Sequence, residues 1–274
     1  MCLIALAWQS HPRYALALIA NRDESHARPA AAAGPDPERP DIYGGRDLAQ
    51  GGSWLLVSTR GRLAAVTNVR AGLAGEAAPR SRSSLVRDFA GGSASGPDFL
   101  EELAAAAAEY GRFNLLLWDG DSLVHASNHP RFAGHPVDPG VHAVSNGAFD
   151  ERWPKSAHAT RALSSWLLSP MEDAAHSSGM PRVDPLFDAL SDTAPAPDGE
   201  LPDTGVGLEL ERALSPAFVR GAHYGTRCSS VVLVGTDAIV FAERRFGPDG
   251  SPQGGSSTRL LRLDPPRGIE AGSL

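Results

Sequence analysis

Short apolar runs bounded by turn signals dominate this chain. Residues 3–8 (LIALAW) and 14–20 (YALALIA) read as two buried strands, with His11-Pro12-Arg13 as the turn between them. Residues 30–40 are rich in Ala, Gly and Pro and read as a loop. Gly51-Gly52 precedes a strand over 53–58, and Arg60-Gly61-Arg62 turns the chain into a partner over 63–68. The pattern then changes to helical spacing. A helix is predicted over 83–89, and another over 99–110, with Asp98 as N-cap and five consecutive alanines inside. Strands return at 113–118 and 122–126, joined by Asp119-Gly120-Asp121, a hairpin signal. A short strand is expected over 141–145, helices over 155–168 and 185–190, and an exposed loop over 194–207. Strands over 229–234, 238–243 and 258–263 close the chain.

Hairpins in groups, separated by helices, argue for antiparallel sheets and against a parallel sheet of strand–helix–strand units. The expectation is an α+β fold of two antiparallel sheets covered by outer helices. No repeat and no break in composition divides the chain, so residues 1–274 are read as one domain.

Composition narrows the function. Hydrophobic residues make up 42% and charged residues 21%, enough for a packed core. The net charge of −7 disfavours nucleic acid as the main partner, because phosphate binding needs a basic surface. No apolar run is long enough for a membrane span or a signal-peptide core. Two cysteines, Cys2 and Cys228, are too few for a disulfide scaffold, which makes a reducing, cytoplasmic location the expectation. A small-molecule substrate or ligand is the partner this leaves; oligomeric state is not legible.

Cys2 is the sharpest chemical feature. Removal of Met1 would leave its thiol and its own α-amine on one residue. An α-amine with a pKa of roughly 8 is a usable base near neutrality. The competing reading is a strand cysteine that only packs. Asn21-Arg22-Asp23-Glu24 follows the second apolar run, at what reads as a strand end. A guanidinium there would favour a thiolate, and a carboxylate could orient the α-ammonium. Taken alone, the motif reads first as a solvated hairpin end. Thr67-Asn68, Ser145-Asn146-Gly147 and Tyr224-Gly225-Thr226-Arg227 also flank predicted strands. The Asn side chains of the first two suit oxyanion donation, or simply turns, and Arg227 of the third also reads as a surface charge.

Taken together in this order, Met1-Cys2, Asn21–Glu24, Gly51–Trp54, Thr67-Asn68, Ser145-Asn146 and Tyr224–Arg227 make the chain resemble the NRDE family, also called the transport and Golgi organisation 2 family. The likeness runs from residue 2 to about residue 243. That family is similar in layout to cysteine N-terminal-nucleophile amidases. The resemblance implies a four-layer αββα sandwich with Cys2 as nucleophile on the first strand. It implies Arg22 and Asp23 flanking the thiol and amine, Asn68 and Asn146 as oxyanion donors, and Arg227 as a second cation. Asn21, Trp54 and Tyr224 would contact substrate, with Asn21 orienting Asp23. Cys228 is expected to face the core.

The implied activity is hydrolysis of a linear non-peptide amide or related acyl compound, with no cofactor or metal required. The alternative implied by the family is a non-catalytic carrier of haem or of a lipid or acyl-CoA ligand. No haem-attachment motif is present, and His125, His129, His135 and His142 fit no metal-site spacing. His223, beside Tyr224, is the one histidine expected as an axial ligand under that alternative.

Overall fold

A computed structural model describes residues 2–73, 78–169 and 180–261, excluding the side chains of Cys2 and Leu261. Its strands β1 (Cys2–His11) and β2 (Tyr14–Ser25) form a hairpin at the heart of a six-stranded antiparallel sheet. With β10 (Gly140–Val144), β11 (Tyr224–Val234), β12 (Ala238–Phe246) and β13 (Pro252–Leu261), the order is β10-β1-β2-β11-β12-β13. A second sheet runs in sequence order: β3 (Ala30–Pro35), β4 (Ile42–Asp47), β5 (Leu55–Ser58), β6 (Arg62–Asn68), β7 (Phe113–Trp118), β8 (Leu123–Ser127) and β9 (Ala133–Pro136).

The side chains of β1 show how the layers stack. Ile4, Leu6 and Trp8 enter a core shared with Leu55, Leu63 and Trp118 of the second sheet. Leu3, Ala5 and Ala7 point the other way, into a core with Leu163 and Trp166 of α3 (Pro154–Leu167) and Phe187 of α4 (Asp184–Leu190). On the far side, Ala64, Val66 and Leu117 of the second sheet pack on Leu85 and Phe89 of α1 (Arg82–Gly91) and Leu100 of α2 (Gly96–Ala104). Helices, sheet, sheet, helices: the chain is an αββα sandwich. Both faces of each central strand are buried. This is why these strands read as unbroken apolar runs without the polar alternation of a one-sided sheet.

Several elements differ from expectation. The Ala/Gly-rich stretch expected as a loop forms β3 at a sheet edge, where small side chains suffice. β4 and β9, edge-proximal and poor in branched residues, carry no apolar run that would announce them. The helix expected over 99–110 starts earlier. Ser95 caps α2 by accepting from the Asp98 N–H, and α2 stops at Ala104, with a 3-10 turn at Ala107–Glu109. The segment expected as a loop over 194–207 holds only a 3-10 turn at Asp198–Glu200, and α5 (Leu208–Ala213) follows it unforeseen. The last strand begins at Pro252, before its expected start; residues 262 and 263 of the expectation lie outside the described residues. Most consequential, β2 continues through Ser25, so Asn21–Glu24 lies inside a strand. Among the described residues no helix is long and apolar enough to cross a membrane.

Candidate active site

Strand register brings the scattered motifs to one end of the sandwich. Arg22 on β2 pairs with Cys2 on β1 and, on its other side, with Cys228 on β11. Adjacent strand residues face opposite ways, so Arg22 and Asp23 leave β2 on different sides. Arg22 turns between the sheets, where its guanidinium carbon lies 4.1 Å from the centroid of the Trp54 ring. Asp23 turns toward the helix layer. Its Oδ1 accepts a 2.6 Å hydrogen bond from the Thr226 hydroxyl, and the Lys155 charge on α3 acts on it. Burial pushes the Asp23 carboxyl up; Lys155, Thr226 and Arg22 oppose that rise.

A cavity of about 240 Å³ opens at this end, with Arg22, Asp23 and Glu24 on one wall and Trp54, Val66 and Asn68 on another. The turn at Ser81, Arg82 and Ser83, which starts α1, closes it. The Gly51-Gly52 pair explains how that turn comes so near. Gly51 adopts φ +75°, a conformation glycine takes without a steric penalty. A Cβ on Gly52 would lie 2.3 Å from the Ser83 carbonyl carbon, so only glycine lets the loop pass. Gly45 plays the matching role under Trp54, whose ring would meet a Cβ there at 2.2 Å.

Asn68 and Asn146 meet, although 78 positions apart. Asn146 is fully buried, and its Nδ2 donates to the Asn68 backbone carbonyl at 2.8 Å and to Asn68 Oδ1 at 3.1 Å. Both amide hydrogens of Asn146 are thereby used within the protein. Asn68 lines the cavity, and with Oδ1 held by Asn146 its Nδ2 is the end left to donate. One residue of the pair faces the cavity and the other orients it, so two direct oxyanion donors are not what the geometry provides.

Arg227 departs from the expected second cation. It sits where the β11–β2 register shifts, between Thr226 and Cys228. Its Nη1 donates to the carbonyls of Ser25, His26 and Arg28 at 2.8, 3.3 and 3.1 Å, so it ties down the chain leaving β2 and does not line the cavity. Burial, with Arg22 and Arg245 nearby, lowers its pKa. Asn21 likewise does not orient Asp23 or line the cavity. Its Nδ2 donates to the carbonyls of Leu190 and Ala217, and its Oδ1 accepts from Ser229, all on the helix side. Tyr224 donates its hydroxyl to the Asp23 carbonyl at 3.0 Å, behind the cavity wall. Cys228 is buried and its thiol bonds the buried Glu243. His223 is exposed and outside the cavity lining. Among the described residues, no group of three or more His, Cys, Asp or Glu side chains is disposed to hold a metal ion.

Residues with no sequence forewarning complete the site. Lys155 is buried on α3, its Nζ donating to the Leu214 carbonyl at 3.1 Å. Arg28 lines the cavity and is held by Asp47 through contacts of 2.6 and 3.0 Å. Ser81 caps α1 by accepting from the Ser83 N–H, ahead of the apolar Leu85, Val86 and Phe89, and nothing local places that cap at the cavity.

Buried Arg22 and Asp23 on β2, a Trp shelf and an oriented Asn around one polar cavity define a candidate enzyme site on an αββα scaffold. The Transport and Golgi organisation 2 family matches residues 1–248, and the chain belongs to that family. The bovine (Bos taurus) Transport and Golgi organization protein 2 homolog is 30% identical over 96% of this chain and 99% of its own length. The human (Homo sapiens) homolog is 29% identical over 89% of this chain and 92% of its own. Among solved structures, a Caenorhabditis elegans N-acylethanolamine-hydrolyzing acid amidase ortholog aligns with a TM-score of 0.46 and 10% identity, covering 85% of this chain and 92% of that chain.

Proposed function

We propose that this chain is an N-terminal cysteine hydrolase that cleaves a linear non-peptide amide or related acyl compound through Cys2 after Met1 is removed. The observation that carries the reading is register: Cys2 opens β1 directly opposite Arg22, a wall of the polar cavity, with Asp23 beside it. In this mechanism the Cys2 α-amine takes the thiol proton as sulfur attacks the substrate carbonyl. The Asn68 amide donates to the oxyanion that forms, held in direction by Asn146. Collapse breaks the carbon–nitrogen bond, the leaving amine takes the proton, and a thioester remains on Cys2. Water then adds to the thioester and releases the acid and the free thiol. Asp23 fixes the α-ammonium, and Arg22 favours the thiolate over the thiol.

Intact-mass spectrometry of natively expressed protein tests the reading. A mass lacking Met1, and an acyl adduct on Cys2 when the protein is mixed with a fatty-acyl 4-nitroanilide, are expected. Cys2→Ala should abolish the adduct. Retention of Met1, or haem binding by absorbance with no adduct under any condition, would overturn it.

A further inference from the structure

The cavity wall carries more cationic character than thiolate chemistry needs. Four arginines line it, Arg22, Arg28, Arg80 and Arg82, against three lining carboxylates, Asp23, Glu24 and Asp47, with Glu109 outside the lining 3.6 Å from Arg80. The carboxylates are largely committed. Asp47 holds Arg28 at 2.6 Å, Asp23 accepts from Thr226, and Glu24 stands 3.9 Å from both Arg22 and Arg28. Arg22 is the telling residue. Its side chain is 7% exposed, it lines the cavity, and its buried Nη1 has no hydrogen-bond partner among the described residues. A buried guanidinium hydrogen left unbonded costs free energy, and an incoming acceptor recovers it.

The opposite wall is the N-terminus of α1, a ten-residue helix with no acidic residue in its first turn. Its positive end therefore faces the cavity without a neutralising side chain of its own. The hydroxyls of Ser81 and Ser83 lie at the same end, bonded to each other at 2.8 Å.

We propose that this cavity binds the anionic group, carboxylate or phosphate, of the acyl compound, between Arg22 Nη1 and the α1 N-terminus with Arg82. The proposal rests on the hydrolase reading for the acyl part of the substrate. Its own content is the charge requirement, which is measurable without turnover.

The test uses the full-length Cys2→Ala chain, which cannot consume a substrate, and isothermal titration with two matched pairs. N-dodecanoylglycine is compared with its neutral amide, and N-dodecanoylethanolamine phosphate with neutral N-dodecanoylethanolamine. The charged member of at least one pair should bind about tenfold tighter or more, as a charge-assisted bond provides. Which pair shows it identifies the anion. Raised salt should reduce that preference, because a screened charge contributes less. Arg82→Gln and, separately, Arg22→Met should each shrink the preference at least threefold while circular dichroism stays native. Equal binding of charged and neutral members in both pairs overturns the proposal. So does a full preference that survives in a folded Arg82→Gln chain and a folded Arg22→Met chain. Anion preference without any acyl adduct on wild-type Cys2 would sink the hydrolase reading and leave the anion site standing.

Discussion

The guanidinium of Arg22 lies over the indole of Trp54, its Cζ 4.1 Å from the ring centroid, so one sheet supplies the cation and the other the shelf that aims it. Such a contact stabilises by about 0.5–2 kcal/mol, more when water is excluded. Trp54→Leu should therefore let Arg22 swing toward Glu24 and slow alkylation of Cys2 at neutral pH, whereas Trp54→Phe should retain most of the rate. Equal rates in both variants would detach Trp54 from the site.

Asn68 and Asn146 should behave as one unit. Asn146→Ala removes the bonds that orient Asn68 and leaves buried acceptors unsatisfied, at a cost of about 1–3 kcal/mol in stability. In a double-mutant cycle on the acylation rate, Asn146→Ala should add little once Asn68→Ala is present. Additive losses would mean that Asn146 reaches the substrate by itself.

Gly51 and Gly52 should separate strain from steric exclusion. Gly51 has open space at its Cβ position but a positive φ, so Gly51→Ala should cost about 1 kcal/mol and leave ligand binding intact. Gly52→Ala drives a Cβ into the Ser83 backbone and should displace the start of α1. It should cost about 1–3 kcal/mol and weaken anion binding as well. Urea denaturation and the titrations above measure both.

Stability should respond to His125 in mild acid. It is buried between the sheets, its Nε2 near Asn114 Oδ1, and its ring packs on Phe149 and His135. Burial, helped by His135, lowers its pKa to about 3. The unfolded chain binds a proton near the ordinary histidine value of roughly 6.5, and the folded chain does not until about pH 3. Between those values the unfolded state holds more protons, so stability falls as pH drops through that window, by on the order of a few kcal/mol. His125→Gln should lose less stability than wild type between pH 7 and pH 4 in urea melts. Parallel losses would show that His125 does not titrate in this window.

The apolar runs of β1, β2, β5–β8, β11 and β12 were legible because strands buried on both faces need unbroken hydrophobic sequence. The order of the motifs around Cys2, Asn21–Glu24, Gly51–Trp54, Asn68, Asn146 and Tyr224–Arg227 was enough to assign the family. The edge strands β3 and β9 were not legible, since an edge carries less of the core and tolerates Gly, Ala and His, and β4, between β3 and β5, was hidden by the Gly44-Gly45 pair that interrupts its short run.

The chain's own sequence determined the central strands and the polar motifs that follow their apolar runs. Only the tertiary structure decided which of those residues face the cavity. Register set Arg22 opposite Cys2, and strand alternation sent Asp23 to the helix side. The shift between Thr226 and Cys228 coincides with Arg227 turned onto the backbone of residues 25–28. The close pass of Gly52 brought the α1 N-terminus to the same opening. None of this is a property of local sequence. Side-chain direction at a strand end depends on partner strands far along the chain, and a one-residue change in register reverses it.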